Sequence, residues 1–174
     1  MKRTSAALGS FAFLLVTPGT VCGLVPLLIT GWRRPGDPVP WVDALGWLLV
    51  LAGGAVLLHA FVAFAWHGWG TPAPTAPTER LVVQGAYRYV RNPMYVAVLA
   101  LVLGQVLLFA SGGLFAYLVV LGITVNVFVH TYEEPTLREA YGPSYDELCE
   151  NVPRWLPRLT VWRGATRRDV ADQR

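Results

Sequence analysis

The sequence predicts an all-α, polytopic membrane protein with about four transmembrane helices and a cytoplasmic helical cap near the C-terminus. Three observations carry that prediction. The chain is 54% hydrophobic and only 14% charged, with mean hydropathy +0.44, whereas a soluble domain carries about 25% charged residues. Its apolar residues fall into four runs near the length that crosses a hydrocarbon core, about 20 helical residues. All but two of its basic residues fall in one set of alternating loops.

The first run extends from Ser5 to Thr30. Lys2 and Arg3 precede it as they would a signal peptide, but the run is longer than a signal core and lacks a small-x-small cleavage site before polar sequence. It reads as a retained helix, kinked at Pro18 and Pro26, which membrane helices tolerate when neighbours satisfy the freed backbone groups. The second run, Val42 to Trp66, contains Gly53 and Gly54, a pair that permits close helix approach. The third, Met94 to Ala110, and the fourth, Leu114 to Tyr132, are separated only by Ser111, Gly112 and Gly113, so they form a tight antiparallel hairpin. Trp32, Trp41, Trp47, Trp66 and Trp69 cluster near the expected ends, as an interfacial aromatic belt does.

Between the second and third runs, residues 67–78 read HGWGTPAPTAPT, an irregular loop. After the fourth, Pro135 to Glu150 reads as a short helix interrupted at Gly142-Pro143, and the tail from Arg163 is polar. The whole reads as one domain over residues 1–174, with 1–66 as a two-helix scaffold and 79–157 as the functional hairpin and cap. Cys22 and Cys149 have no metal-type spacing and read as unpaired thiols. No metal site is expected.

Charge sets the orientation. With the N-terminus cytoplasmic, the inside carries Lys2, Arg3, Arg80, Arg88, Arg91, Arg138, Arg154, Arg158, Arg163, Arg167, Arg168 and Arg174, and the outside carries only Arg33 and Arg34. The positive-inside rule then puts both termini in the cytoplasm. The same distribution turns the net charge of +3 into a topology and anionic-lipid signal rather than a nucleic-acid footprint. Arginine far outnumbers lysine and Ala, Gly and Val abound, which points to a bacterial inner membrane.

Two polar blocks stand out, GAYRYVRNPMY from Gly85 and EEPTLREAYGPSYDELCENVPRWLP from Glu133. Arg91 lies 21 residues before Gly112 and Glu133 lies 21 after it. Antiparallel helices of equal rise therefore bring the two to one depth, with Tyr95 and His130 matched in the same way. Asn126, His130, Glu133 and Glu134 recur at i, i+4, i+7 and i+8 and are expected on one inward-looking face, since polar groups at membrane depth avoid lipid.

These residues carry a resemblance. LVVQGAYRYVRNPMYVA from Leu81, EEPTL from Glu133 and YGPSYDELCENVPRWLP from Tyr141 are similar to the signature of the isoprenylcysteine carboxyl methyltransferase and phospholipid N-methyltransferase family: L-V-x-x-G-x-Y-x-x-x-R-H-P-x-Y-x-G, a hairpin, E-E-x-x-L, then F-G-x-x-Y-x-x-Y-x-x-x-V-P-x-x-x-P. The likeness covers about residues 79–157. It implies an S-adenosylmethionine-dependent methyltransferase acting at the cytoplasmic face on a lipophilic or membrane-borne acceptor, with membrane lipids as neighbours. It further implies a cofactor site of Glu79, Arg80, Leu81, Val82, Tyr87, Asn92, Pro93, Met94, Tyr95 and Glu133, with Arg91 and Glu134 as catalytic residues. Asn92 stands for the family histidine, Ala97 for a glycine and Leu148 for the second tyrosine of the last block. Val129 stands where prenylcysteine enzymes carry a carboxylate-binding arginine, which argues against that substrate.

Two other readings compete. Sterol-type reductases, which use NADPH, share an R-H-P-x-Y stretch, but their distal block differs from EEPTLREAYGPSY. A degenerate member that binds lipid without catalysis would also fit Asn92 and Leu148.

Overall fold

The computed structural model of the protein describes residues 16–67, 83 and 85–163. These residues form helices and no strands. Helix α1 spans Val16–Thr30, α2 Pro40–His67, α3 Pro93–Phe109 and α4 Gly112–Phe128. Helix α5 spans Glu134–Tyr141 and α6 Pro143–Asn151.

Two of the four expected spans are long and apolar enough to cross a membrane: α2, and the helix that begins at Gly112. Helices α1 and α3 are apolar but shorter, α3 having 17 residues, against about 20 for a full crossing. The part of the first run before Val16 lies outside the described residues, as does residues 68–78 of the Pro/Thr loop. Along α2 and α4 the large apolar side chains face outward, among them Trp41, Leu48, Leu51, Val120 and Ile123. A core helix of a soluble protein buries such a stripe; here it is left exposed, as on a helix that crosses a membrane.

Helices α2 and α3 pack antiparallel at backbone distance. A Cβ on Gly104 would lie 2.6 Å from the Gly46 carbonyl oxygen, and one on Gly53 would lie 2.8 Å from the Ala97 carbonyl oxygen. Small residues on both helices are what allow this approach. Of the expected Gly53-Gly54 pair only Gly53 serves it, since nothing lies within 4 Å of a Cβ on Gly54.

The α3–α4 connection is tighter than expected. Helix α4 already starts at Gly112, with Ser111 as its N-cap, the hydroxyl accepting from Leu114 N at 3.3 Å. Ala110 takes the turn in a left-handed conformation, φ +47°. Gly113 is needed for packing instead: its Cβ would sit 2.9 Å from Ile29 of α1.

Proline shapes two helices in the same way. A π-turn, Thr20–Leu24, precedes Pro26, and a π-turn, Val129–Glu133, precedes Pro135. Proline has no N–H to give the carbonyl four residues back. In α1 that carbonyl, Cys22 O, accepts instead from Gln105 Nε2 at 2.9 Å, and Val21 O accepts from the Tyr117 hydroxyl at 3.0 Å. Neighbouring helices thus satisfy the backbone that Pro26 leaves bare. Before Pro135 the helix widens without breaking, so the chain runs as one rod from Gly112 to Tyr141. A break after Tyr132 was expected; the break comes at Gly142, φ +52°, as the Gly142-Pro143 pair indicates.

Candidate active site

The end of the bundle where α3 begins and α4 ends gathers the two polar blocks. Four elements build it: a 3₁₀ turn, Gly85–Arg88, the first turn of α3, the π-turn with α5, and a strap from Val152 to Arg163 that follows α6. Gly85 enters with φ +56°, and a Cβ there would lie 2.8 Å from His59 Nε2 on α2. Glycine is therefore required both by conformation and by the imidazole beside it.

Glu134 is the electrostatic centre. Its side chain is only 9% exposed. Oε1 accepts from Arg91 Nη1 at 3.1 Å and from Arg154 Nε at 2.7 Å, while Oε2 accepts from Arg154 Nη2 at 2.7 Å. The Arg154 contact is the bidentate fork that guanidinium geometry favours, and it raises the Arg154 pKa. Arg91 also donates to the Cys149 thiol, and its backbone N–H reaches Pro153 O at 2.9 Å. Arg91 Nε is buried without a partner.

Glu133 faces the other way. Its Oε2 accepts from the Tyr95 hydroxyl at 2.8 Å. Tyr87 is close enough that the Glu133 carboxylate, after burial, is the second cause raising its pKa. Both effects keep the Tyr87 phenol neutral, a donor rather than an anion. Asn92 is buried, and its side-chain amide donates to Arg154 O at 3.2 Å. Pro93 occupies the first turn of α3, where its missing N–H costs nothing. Met94 packs beside Leu57 and Ala97.

The structure thus unites Tyr87, Arg91, Asn92, Pro93, Met94, Tyr95, Glu133 and Glu134. Glu79, Arg80, Leu81 and Val82 lie outside the described residues. The depth match between Arg91 and the Glu133-Glu134 pair is realised as a direct contact, and Tyr95 meets Glu133 rather than His130. The inward face expected of Asn126, His130, Glu133 and Glu134 is split. Glu134 is buried and Glu133 partly so, but Asn126 and His130 are exposed. The π-turn is the cause, because its extra residue rotates the two glutamates away from the register of α4. His130 Nδ1 still lies 3.9 Å from Glu134 Oε2.

A family model for phospholipid methyltransferases matches residues 41–144, more than half of the chain. The chain belongs to that family. No curated protein and no solved structure matches it. Membership makes this a membrane methyltransferase family domain, and the exposed apolar stripes of α2 and α4 agree.

The matched region stops at residue 144, yet the site continues. Arg154, Cys149 and Tyr145 complete it from α6 and the strap. Tyr145 is buried with Leu148 and Val152, and burial, then the Cys149 thiol, push its phenol pKa upward. Leu148, at the position of a family tyrosine, fills this apolar cluster. The strap runs alongside the first polar block in the opposite direction: Arg158 N donates to Tyr89 O at 3.0 Å and Trp162 N to Arg88 O at 3.2 Å, while Arg88 Nε returns to Trp162 O at 2.8 Å. Sequence reasoning had quoted VPRWLP only as a signature.

Proposed function

We propose that the protein transfers a methyl group from S-adenosylmethionine to a lipophilic or membrane-borne acceptor at the membrane face that carries the Arg91–Glu134–Arg154 cluster. The observation that carries this reading is the division of labour between adjacent glutamates in a phospholipid methyltransferase domain. Glu134 is committed to two guanidiniums. Glu133 accepts from the Tyr95 hydroxyl and lies close enough to the Tyr87 phenol to raise its pKa, with no guanidinium bonded to it in the contacts described. A half-buried carboxylate beside neutral phenols rather than guanidiniums keeps its negative charge uncompensated and fits an ammonium group or a ribose diol, both of which donate to it. Tyr87 and Tyr95 lie beside it, and in this reading Asn92, Pro93 and Met94 of the same block and Glu79 to Val82 complete the cofactor wall.

The cofactor supplies an electrophilic methyl group on a sulfonium. The protein's part is alignment and exclusion of water, because an in-line displacement depends on placement of the acceptor more than on acid or base chemistry. Arg91 and Glu134 act in this reading by fixing the first polar block against α5, so that Tyr95 and Glu133 keep their spacing. With Arg91 and Arg154 both on its oxygens, Glu134 is placed to position rather than to abstract a proton. The membrane is read as a bacterial inner membrane, with both termini cytoplasmic.

The test is calorimetric titration of the purified protein with S-adenosylhomocysteine, beside incubation of membrane extract with radiolabelled S-adenosylmethionine. Binding is expected and label should enter a lipid or small amphiphile. Glu133→Ala should abolish both. No binding, or binding that survives Glu133→Ala, overturns the assignment. Tryptophan quenching by NADPH instead would favour a reductase.

A further inference from the structure

The strap from Val152 to Arg163 has two faces. Its inner face belongs to the site: Arg154 grips Glu134, and Trp162 packs against the Tyr145–Leu148–Val152 cluster. Its outer face carries two large apolar side chains left exposed among the described residues. Leu156 is 79% exposed and Leu159 fully exposed. Arg163 is exposed on the same segment, whereas Arg158 is half-buried and its guanidinium donates to Asn151 O and Thr160 Oγ1; no acidic residue occurs between Pro153 and Arg163.

One contact fixes the depth of this face. Trp155 Nε1 donates to Asn126 Oδ1 at 3.1 Å. Asn126 lies two turns of helix inside α4 from Glu134, between Ile123 and Val127, which face outward. The strap therefore lies on the exposed apolar side of α4. Leu156, the next residue, is exposed beside that contact, and the backbone of Arg158 is held at the level of the first polar block by Tyr89 O. An apolar side chain pointing into acyl chains beside cations at the headgroup level is the arrangement of interfacial membrane-binding segments.

We propose that the outer face of the strap docks on an anionic phospholipid surface, with Leu156 and Leu159 inserted below the headgroups and Arg163 paired with lipid phosphate. Charge complementarity and the Trp155 contact with the exposed side of α4 choose this occupant over a protein partner. The strap also carries Arg154, so lipid docking and the Glu134 clamp are joined through one short segment. The inference rests on the membrane placement of α4 and does not require methyl transfer.

The test places a polarity-sensitive fluorophore on Leu159→Cys in the full chain, with Cys22→Ser and Cys149→Ser, reconstituted into nanodiscs. A probe on Glu147→Cys, on the exposed side of α6, serves as the control. Nitroxide lipids labelled near the headgroup report insertion. In discs containing phosphatidylglycerol, the Leu159 probe should shift to the blue and be quenched about twofold more than the control. The excess quenching should fall in pure phosphatidylcholine and in the Arg163→Gln variant. Quenching equal to the control in both lipids overturns insertion. Equal excess quenching in both overturns anionic recognition. The readout is independent of cofactor binding, so its failure and the failure of the methyltransferase assignment are separable.

Discussion

The α2–α3 contact and the site end hold the same bundle by opposite chemistries. Between α2 and α3, Gly46, Gly53, Gly104 and Ala97 bring backbones together with almost no side chain between them. At the site end, Arg91, Glu134 and Arg154 meet through long side chains that converge on one buried carboxylate. The first interface is enclosed by lipid, where polar groups are costly and shape decides packing. The second stands at the boundary, where charges are tolerable if they are paired. The difference teaches where a substitution is felt: at the first it is a matter of volume, at the second of uncompensated charge.

The largest expected effect breaks the charged side of this comparison. Glu134→Ala leaves Arg91, whose side chain is 13% exposed, without its counter-ion, and removal of one partner of a buried pair costs about 3–5 kcal/mol. Arg154 adds less, because its side chain is 30% exposed and water screens it. The thermal midpoint of the detergent-purified protein should fall sharply, and Glu134→Gln should fall less because its carbonyl still accepts. A midpoint for Glu134→Ala within a degree or two of the parent would remove the clamp from the account.

The packed side is broken next by Gly104→Ala. The new methyl meets the Gly46 carbonyl oxygen at 2.6 Å and Val50 Cγ2 at 2.8 Å. Backbone cannot rotate away as a side chain can, so the helices must separate, at about 1–3 kcal/mol for overpacking. Salt distinguishes the two sides further. Raising ionic strength should weaken the partly exposed Arg154–Glu134 pair of the parent and so shrink the deficit of Arg154→Ala, and leave the Gly104→Ala deficit unchanged.

How much was legible follows the same division. The hairpin count found the Arg91–glutamate contact, since helix rise is fixed and a short turn leaves little slack. It missed that Glu134 rather than Glu133 takes the arginine, because a π-turn changes register by one residue and its trigger, Pro135, acts backward along the chain. The same effect hid Gln105. Nothing in its own neighbourhood marks it, but Pro26 bares a carbonyl at Cys22 that some neighbour must satisfy. Arg154 escaped because the strap's path is set by hydrogen bonds to Arg88 and Tyr89 backbone, which no periodicity encodes. Of the spans, the apolar runs were readable: α3 has the 17 residues its run offered, shifted by one, and of the first run only the part from Val16 is among the described residues.

A smaller effect sharpens the boundary between the two chemistries. Trp155→Phe keeps the ring and removes the donor to Asn126 Oδ1. Net loss of one hydrogen bond costs about 0.5–1.5 kcal/mol, and both partners reach the surface, so the low end is expected. Hydrogen exchange of the strap amides should quicken while the α2–α3 amides stay protected. Equal quickening in both would mean that the strap and the packed helices open as one unit.

The smallest expected effect reverses sign. Gly54 adjoins Gly53, yet nothing lies within 4 Å of its Cβ position, whereas a methyl on Gly53 would press on the Ala97 carbonyl oxygen at 2.8 Å and on Leu101. Gly54→Ala therefore meets no clash, and alanine is favoured over glycine within a helix by up to about 1 kcal/mol. Gly53→Ala gains the same helix preference and loses more to the contact. Parallel thermal melts of the two single variants should diverge, Gly54→Ala at or slightly above the parent and Gly53→Ala below it. If both fall together, the pair acts as one small-residue patch and α2 faces a neighbour on the Gly54 side as well.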